Sequence, residues 1–133
     1  MQTLLFTLGL VLFMAGLLTG FAAGVVKNPR MALSSHLEAV LNGMFLVLLG
    51  LLWPHLDLSK ALGITAVALI VYAAYANWLA TLLAAAWGAG RRLAPIAAAG
   101  HEASPAKERI VGFLLLSLSL SILAGVGIVI AGL

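Results

Sequence analysis

Four long apolar segments, separated by short polar stretches, constrain this chain more than any other feature of its sequence. Each is near the roughly 20 residues that an α-helix needs to span a bilayer. A helix satisfies its own backbone hydrogen bonds in hydrocarbon, so each segment is predicted to be helical. The sequence therefore predicts an all-α integral membrane protein, a four-transmembrane-helix bundle that forms a single domain over residues 1–133, with spans at about 3–26, 36–53, 61–87 and 110–133.

The composition excludes several kinds of site. Only 8% of the residues are charged, about a third of the fraction typical of a soluble domain. Cysteine is absent, which excludes disulfides and thiolate metal sites. The sequence contains no Gly-rich phosphate loop and no nucleophile triad. The net charge of +3 comes from connecting segments, a pattern typical of membrane topology rather than of a nucleic-acid surface.

The basic residues lie in the first and third loops, and they predict the orientation. Cytoplasmic loops of membrane proteins carry an excess of lysine and arginine. Both basic loops are therefore predicted to be cytoplasmic and both termini outside, in the bacterial inner (cell) membrane. The N-terminal residues lack the basic start of a signal peptide, so the first segment is predicted to be a retained helix.

The first segment also carries a small-residue face. Gly16, Gly20 and Gly24 recur at four-residue spacing, which predicts the close approach of another helix. The spacing indicates packing, and no catalytic role is assigned to these glycines.

The second segment concentrates its polar residues at one end. Ser35 and Glu38 fit the S-x-x-E capping box, which predicts a helix start at Ser35 and a capping role for Glu38, with a catalytic role as the alternative. His36 would then lie in the first turn, where the positive end of the helix dipole favours a neutral imidazole. Such a histidine either ligates a metal or haem iron or is an interfacial residue bonded to a loop.

Asn42 lies one turn beyond Glu38 and deeper in the membrane. It either forms an interhelical hydrogen bond or contacts a polar ligand. At 100° per residue, Asn42 is about 120° around the helix from His36. This geometry disfavours one small ligand held by both side chains, and it favours a large flat cofactor between two subunits.

The third segment contains a second polar group. An unpaired amide near mid-membrane is costly, so Asn77 is predicted to bond to the second helix or to a ligand. Tyr72 and Tyr75 either pack in the core or interface or present their hydroxyls to a site. The other two histidines of the chain lie in loops, which argues against two axial histidines from one chain.

Two stretches resemble one enzyme family. Residues 36–44, HLEAVLNGM, with Pro54 closing the span, resemble the H-x5-N-G-M stretch of the styrene oxide isomerase and hydroxylaminobenzene mutase family. Residues 75–78, YANW, resemble that family's aromatic-Ala-Asn segment. The four-span layout and the chain length also agree, and the short loops are closer to the mutase branch.

The resemblance implies a small membrane isomerase that binds haem b at the subunit interfaces of a homotrimer. His36 would be the axial iron ligand, Asn42 would orient the substrate at the opposite haem face, and Asn77 would be a further polar group, either of the cofactor pocket or structural. Tyr75, or Tyr72 as the alternative, would supply a catalytic hydroxyl from another turn. The implied reaction converts hydroxylaminobenzene to 2-aminophenol, a redox-neutral step of aromatic compound degradation, with iron as a Lewis acid.

Two departures and two other classes of function define the alternatives. The epoxide isomerases have an acidic residue where this chain has Ala73, and a tyrosine where it has Thr81. An epoxide isomerase is therefore the alternative within the family. From other classes, the alternatives are a haem-binding membrane anchor for electron transfer and a structural membrane protein without a cofactor.

Overall fold

The computed structural model describes all 133 residues, and most of them are helical. Four of its five helices are long and apolar enough to cross a membrane. The predicted all-α fold with four such helices is therefore confirmed. In chain order the helices are α1 (Gln2–Ala22), α2 (Pro29–Leu52), α3 (Lys60–Trp87), the short α4 (Pro95–Ala98) and α5 (Pro105–Ala131), with 3₁₀ turns at Ala23–Val25 and Trp53–His55.

Helix α2 begins earlier than the sequence predicted. It starts at Pro29, and Asn28 is its N-cap, with a side-chain oxygen that accepts a hydrogen bond from the Met31 amide at 3.1 Å. Proline suits the first helical position because its missing N–H would be unpaired there anyway. The predicted capping box of Ser35 and Glu38 is therefore wrong. Both residues lie inside the helix and bond to α3 instead.

The other helix ends follow local chemistry more closely. Ser59 caps α3 through its hydroxyl oxygen, which accepts a hydrogen bond from the Leu62 amide at 3.3 Å. Gly88 ends α3 in the left-handed conformation, with φ of 72°, which costs glycine little. Helix α5 starts at Pro105, ahead of the apolar span predicted at 110–133. Its first turns are polar, so a span predicted from hydropathy does not include them.

The long helices pack in chain order. Helix α1 packs on α2, α2 on α3, and α3 on α5, while α1 makes a smaller contact with α3. The largest cluster of buried apolar side chains joins α1, α2 and α3 and includes Leu5, Leu12, Leu46 and Ile70. One face of α2 remains uncovered and is apolar throughout, formed by Leu33, Leu37, Leu41, Met44, Leu48 and Leu51.

Helices α1 and α2 approach each other unusually closely, along what we call the α1–α2 seam. A Cβ atom added at Gly9 would lie 2.6 Å from the Gly43 carbonyl oxygen, and one added at Gly43 would lie 2.7 Å from the Gly9 carbonyl oxygen. Gly16 and Gly20 also lie on this seam, as the glycine spacing predicted. Gly24 has no neighbour within 4 Å of such an atom, so it takes no part in the packing.

The long loop between α3 and α5 packs across the start of α2. The Asn28 amide donates a hydrogen bond to the Ala97 carbonyl at 2.8 Å, and Arg30 donates one to the Ile96 carbonyl at 3.0 Å. Asn28 is completely buried by this contact. The two basic loops therefore lie at the same end of the molecule, as a four-span topology requires.

Candidate functional site

His36 lies on the α1–α2 seam, half-buried against α1. Its Nδ1 is 2.8 Å from the Gly16 carbonyl oxygen. A Cβ atom at Gly20 would lie 2.9 Å from the same nitrogen, so Gly20 provides the space that the imidazole ring occupies. The predicted position in the first turn is wrong, because α2 begins at Pro29, about two turns earlier. The dipole argument for a neutral ring therefore does not apply, since that effect is confined to the first turn.

The hydrogen bond to Gly16 defines what the His36 ring can do. A carbonyl oxygen only accepts hydrogen bonds, so Nδ1 carries the hydrogen and donates it. In the neutral ring, Nε2 then has a free lone pair. Metal-ligating histidines commonly donate their other N–H to a backbone carbonyl, which fixes the ring and strengthens the ligand. Nε2 is therefore the ring nitrogen of His36 that is free to meet a ligand.

The rest of the chain limits the kind of metal site. Nowhere in the 133 residues does a group of three His, Asp or Glu side chains come together as a metal cage. A single histidine suits a metal that brings most of its own ligands, as haem iron does. The donors that this chain offers therefore fit a haem, whose iron His36 would hold.

Glu38 and Asn77 form a polar pair between α2 and α3. Glu38 Oε2 accepts a hydrogen bond from Asn77 Nδ2 at 2.6 Å. Asn77 was predicted to bond either to the second helix or to a ligand, and its partner is on the second helix. Glu38 does not cap the helix. Its carboxylate lies well inside α2, and its one protein partner is the Asn77 amide.

Asn42 differs from every other buried polar side chain. Its Nδ2 is the one buried side-chain nitrogen or oxygen in the chain without a hydrogen-bond partner. An unpaired buried donor costs about 1–3 kcal/mol of stability. The interhelical hydrogen bond weighed as one alternative is therefore not made by this nitrogen. The Nδ2 donor of Asn42 is left enclosed and unpaired.

A groove of about 450 Å³ opens beside the Glu38–Asn77 pair, and we call it the α2–α3–α5 groove. Its walls are mostly apolar, with a few hydroxyl groups, and they include no lysine or arginine. Besides the pair, it is lined by Met31, Ser34, Ala80, Thr81, Ala84, Leu93, Ala94, Leu115, Leu116, Leu118 and Ser119. The groove touches both α2 and α3 within their apolar spans.

Sequence reasoning missed the framework around His36. The Ser35 hydroxyl donates to the Trp78 carbonyl at 3.1 Å, and the Trp78 indole donates to the Thr19 hydroxyl at 3.0 Å. These bonds tie α1, α2 and α3 together one residue away from both His36 and Gly20. Only the four-residue glycine spacing signalled part of this arrangement in advance.

The tyrosine hydroxyls are used between helices. Tyr75 donates to the Leu8 carbonyl on α1 at 2.8 Å, and the Tyr72 hydroxyl lies 2.6 Å from that of Ser117 on α5. The Tyr75 oxygen can still accept a hydrogen bond, and its catalytic role stays a prediction. Thr81 donates to carbonyls of its own helix, at Asn77 and Trp78.

Comparison with known proteins gives these features a context. The model of the styrene oxide isomerase family matches residues 1–133. The chain belongs to the styrene oxide isomerase family. Hydroxylaminobenzene mutase HabB of Ectopseudomonas oleovorans is 54% identical over 129 residues, which are 97% of this chain and 79% of that protein. No solved structure matches the chain.

A second relative supports the same assignment. Hydroxylaminobenzene mutase HabA of the same organism is 54% identical over 118 residues, 89% of this chain and 87% of that protein. This member of the styrene oxide isomerase family is an isomerase, and its four long apolar helices make it a membrane protein. The resemblance inferred from the H-x5-N-G-M stretch is confirmed.

Proposed function

We propose that this isomerase is a haem-dependent mutase that converts hydroxylaminobenzene to 2-aminophenol. Two relatives that span most of the chain carry the name hydroxylaminobenzene mutase. The observation that carries the haem requirement is the hydrogen bond from His36 Nδ1 to the Gly16 carbonyl. It leaves Nε2 as the iron-binding atom.

The reaction is an isomerisation and needs no external oxidant or reductant. The N–O bond breaks, a C–O bond forms at the ortho carbon, and the proton lost from that carbon balances one gained at nitrogen. When bound, haem iron would supply Lewis acidity toward the hydroxylamino group. His36 would hold the iron, and Asn42 Nδ2 would donate a hydrogen bond to the substrate oxygen as negative charge develops there.

The apolar surroundings serve the same chemistry. An oxygen released from nitrogen must return to the ring before bulk water adds to it. The walls of the α2–α3–α5 groove are largely apolar, and an environment that excludes water suppresses such side reactions. An aromatic substrate would enter from the lipid.

We propose a homotrimer with haem at the subunit interfaces. His36 faces α1, whereas Asn42 lies about 120° away around α2, so one cofactor contacts both most simply when they come from different subunits. The uncovered apolar face of α2 lies beside His36 and is available to a second copy. We also propose that the two basic loops, which meet at one end of the molecule, are cytoplasmic.

Epoxide isomerisation is the second candidate, because the family takes its name from styrene oxide isomerase. Two positions argue for the mutase. Ala73 is buried at 2% exposure and offers no acidic group, and the Thr81 hydroxyl is bonded within its own helix. An electron-transfer anchor has less support, since a second axial histidine is absent from the spanning helices.

The test is a product assay with isotopic labelling. Purified protein, loaded with haem in detergent, is incubated with hydroxylaminobenzene in ¹⁸O-labelled water. We expect 2-aminophenol without the label, because the hydroxyl is transferred within the substrate. Labelled product would refute intramolecular transfer, and the absence of product would refute the mutase assignment. Equal turnover by the haem-free protein would refute the haem requirement.

A further inference from the structure

Glu38 is the polar side chain that the proposed mechanism leaves unused. It lies nine residues beyond Pro29, about 13 Å along α2, on a helix apolar enough to span a membrane. A carboxylate at such a depth is costly and by default marks a functional position. Its predicted structural role, the helix cap, does not exist in this fold.

The two carboxylate oxygens of Glu38 have different surroundings. Oε2 accepts the hydrogen bond from Asn77. Oε1 has no partner in the protein and is not enclosed, because Asn42 Nδ2 is the one enclosed atom without a partner. Glu38 lines the α2–α3–α5 groove, so Oε1 is available to a molecule that enters it.

No cation competes for Glu38. The one salt bridge in the chain joins Arg91 to Glu102 in the loop, and the groove contains no lysine or arginine. In its ionised form Glu38 offers Oε1 only as a hydrogen-bond acceptor, so a group that binds it in the groove must be a donor. Asn42, one helical turn away, does not line the groove, and its unpaired Nδ2 is enclosed.

A free acceptor in a largely apolar groove matches one of the two substrate classes of the family better than the other. An N-aryl hydroxylamine carries N–H and O–H donors together with an acceptor oxygen. An epoxide carries an acceptor oxygen and no donor, so it would leave Glu38 Oε1 unpaired and place two acceptors near each other. Leaving a buried polar group of the site unpaired is the strongest way to reject an analogue.

We propose that Glu38 Oε1 accepts a hydrogen bond from the hydroxylamino group and thereby selects N-aryl hydroxylamines over epoxides. The inference rests on the proposed function for its substrate. Asn77 is a positioning residue in this account, because its amide holds Oε2 and turns Oε1 toward the groove. Thr81 and Ser119 only line the groove, since their hydroxyls are bonded to their own helices.

Steady-state kinetics at one fixed pH test the selection. The enzymes are the haem-loaded wild type, Glu38→Gln, Glu38→Met and the control Ser121→Ala, which is on α5 outside the groove, with hydroxylaminobenzene and styrene oxide as substrates. In Glu38→Met we expect kcat/KM for hydroxylaminobenzene to fall about 10- to 100-fold, the worth of a hydrogen bond to a charged acceptor. Turnover of styrene oxide, relative to hydroxylaminobenzene, should rise. Ser121→Ala should resemble wild type.

A binding measurement separates this inference from the proposed function. Aniline and toluene have similar shapes, and only aniline has N–H donors. Calorimetric titration of the wild type should give tighter binding of aniline, and Glu38→Met should lose that preference. Equal binding of both compounds by the wild type, or an unchanged preference and unchanged kcat/KM in both Glu38 variants, would overturn the inference. A wild type that prefers aniline but forms no 2-aminophenol would refute the mutase and retain the donor-selective groove.

Discussion

The α1–α2 seam and the α2–α3–α5 groove lie on different sides of α2 and are built in opposite ways. At the seam, glycines bring backbone against backbone, and the His36 Nδ1 is paired with a backbone carbonyl. At the groove, side chains enclose about 450 Å³, and a carboxylate oxygen is left free. The same helix therefore carries a histidine fixed by backbone packing on one face and a carboxylate oxygen without a protein partner on another.

The largest expected effect on stability comes from a substitution that prevents the close backbone contact at the α1–α2 seam. In Gly43→Ala, the new methyl would lie 2.7 Å from the Gly9 carbonyl oxygen and from the Phe13 amide nitrogen. Backbone atoms cannot avoid the clash by changing rotamer, so α1 and α2 must separate, and the protein should lose about 3 kcal/mol of stability. Thermal unfolding in detergent measures this loss. Gly112→Ala on α5 is the control, because its methyl would have no neighbour within 4 Å; equal melting temperatures would contradict the tight seam.

The next expected effect concerns the orientation of His36. In Gly20→Ala, the methyl would lie 2.9 Å from His36 Nδ1, so the ring must move. We expect haem affinity to fall about 10- to 100-fold, as when the hydrogen-bonding support of a metal ligand is disturbed. Titration with haem, followed at the Soret band, gives the affinity. Gly24→Ala, which has open space at this position, should bind haem like wild type, and identical affinities in the two variants would remove Gly20 from the site.

The smallest expected effects on stability come from removing two polar groups, one without a hydrogen-bond partner (Asn42) and one with a partner (Ser35). Asn42→Leu removes the orphaned amide, so the haem-free protein should gain about 1–3 kcal/mol of stability. Turnover should fall about 100-fold with the loss of a donor to the developing charge. Ser35→Ala breaks the bond to the Trp78 carbonyl and should lose about 1 kcal/mol. Denaturation curves and initial rates measure both, and a less stable Asn42→Leu would show that the amide has a structural partner.

Hydropathy alone was enough to predict the four spanning helices, because each must satisfy its backbone within the bilayer. The start of α2 was not predictable in the same way. Ser35 and Glu38 match a capping box in sequence, but Asn28 and Pro29 form a competing start one loop earlier. The earlier start prevails because Asn28 also bonds to the Ala97 carbonyl of a distant loop, a contact that no local pattern contains.

The candidate site was predictable in its residues and less so in their roles. The motif singled out His36 and Asn42, and the cost of a mid-membrane amide singled out Asn77. The role of Glu38 depended on which helix its side chain meets, and that is settled by the packing of α2 on α3. The hydrogen bond to Gly16 that orients His36 likewise depends on the register between α1 and α2.

The most direct test of the central claim, that His36 on the seam holds haem iron, is an absorption spectrum of three purified proteins expressed with ample haem. We predict a Soret band for the wild type and for His55→Ala, whose histidine is exposed in the 3₁₀ turn that follows α2. We predict no Soret band for His36→Ala, even though its folding in detergent is retained. Normal haem content in His36→Ala, or no haem in the wild type, would contradict the account.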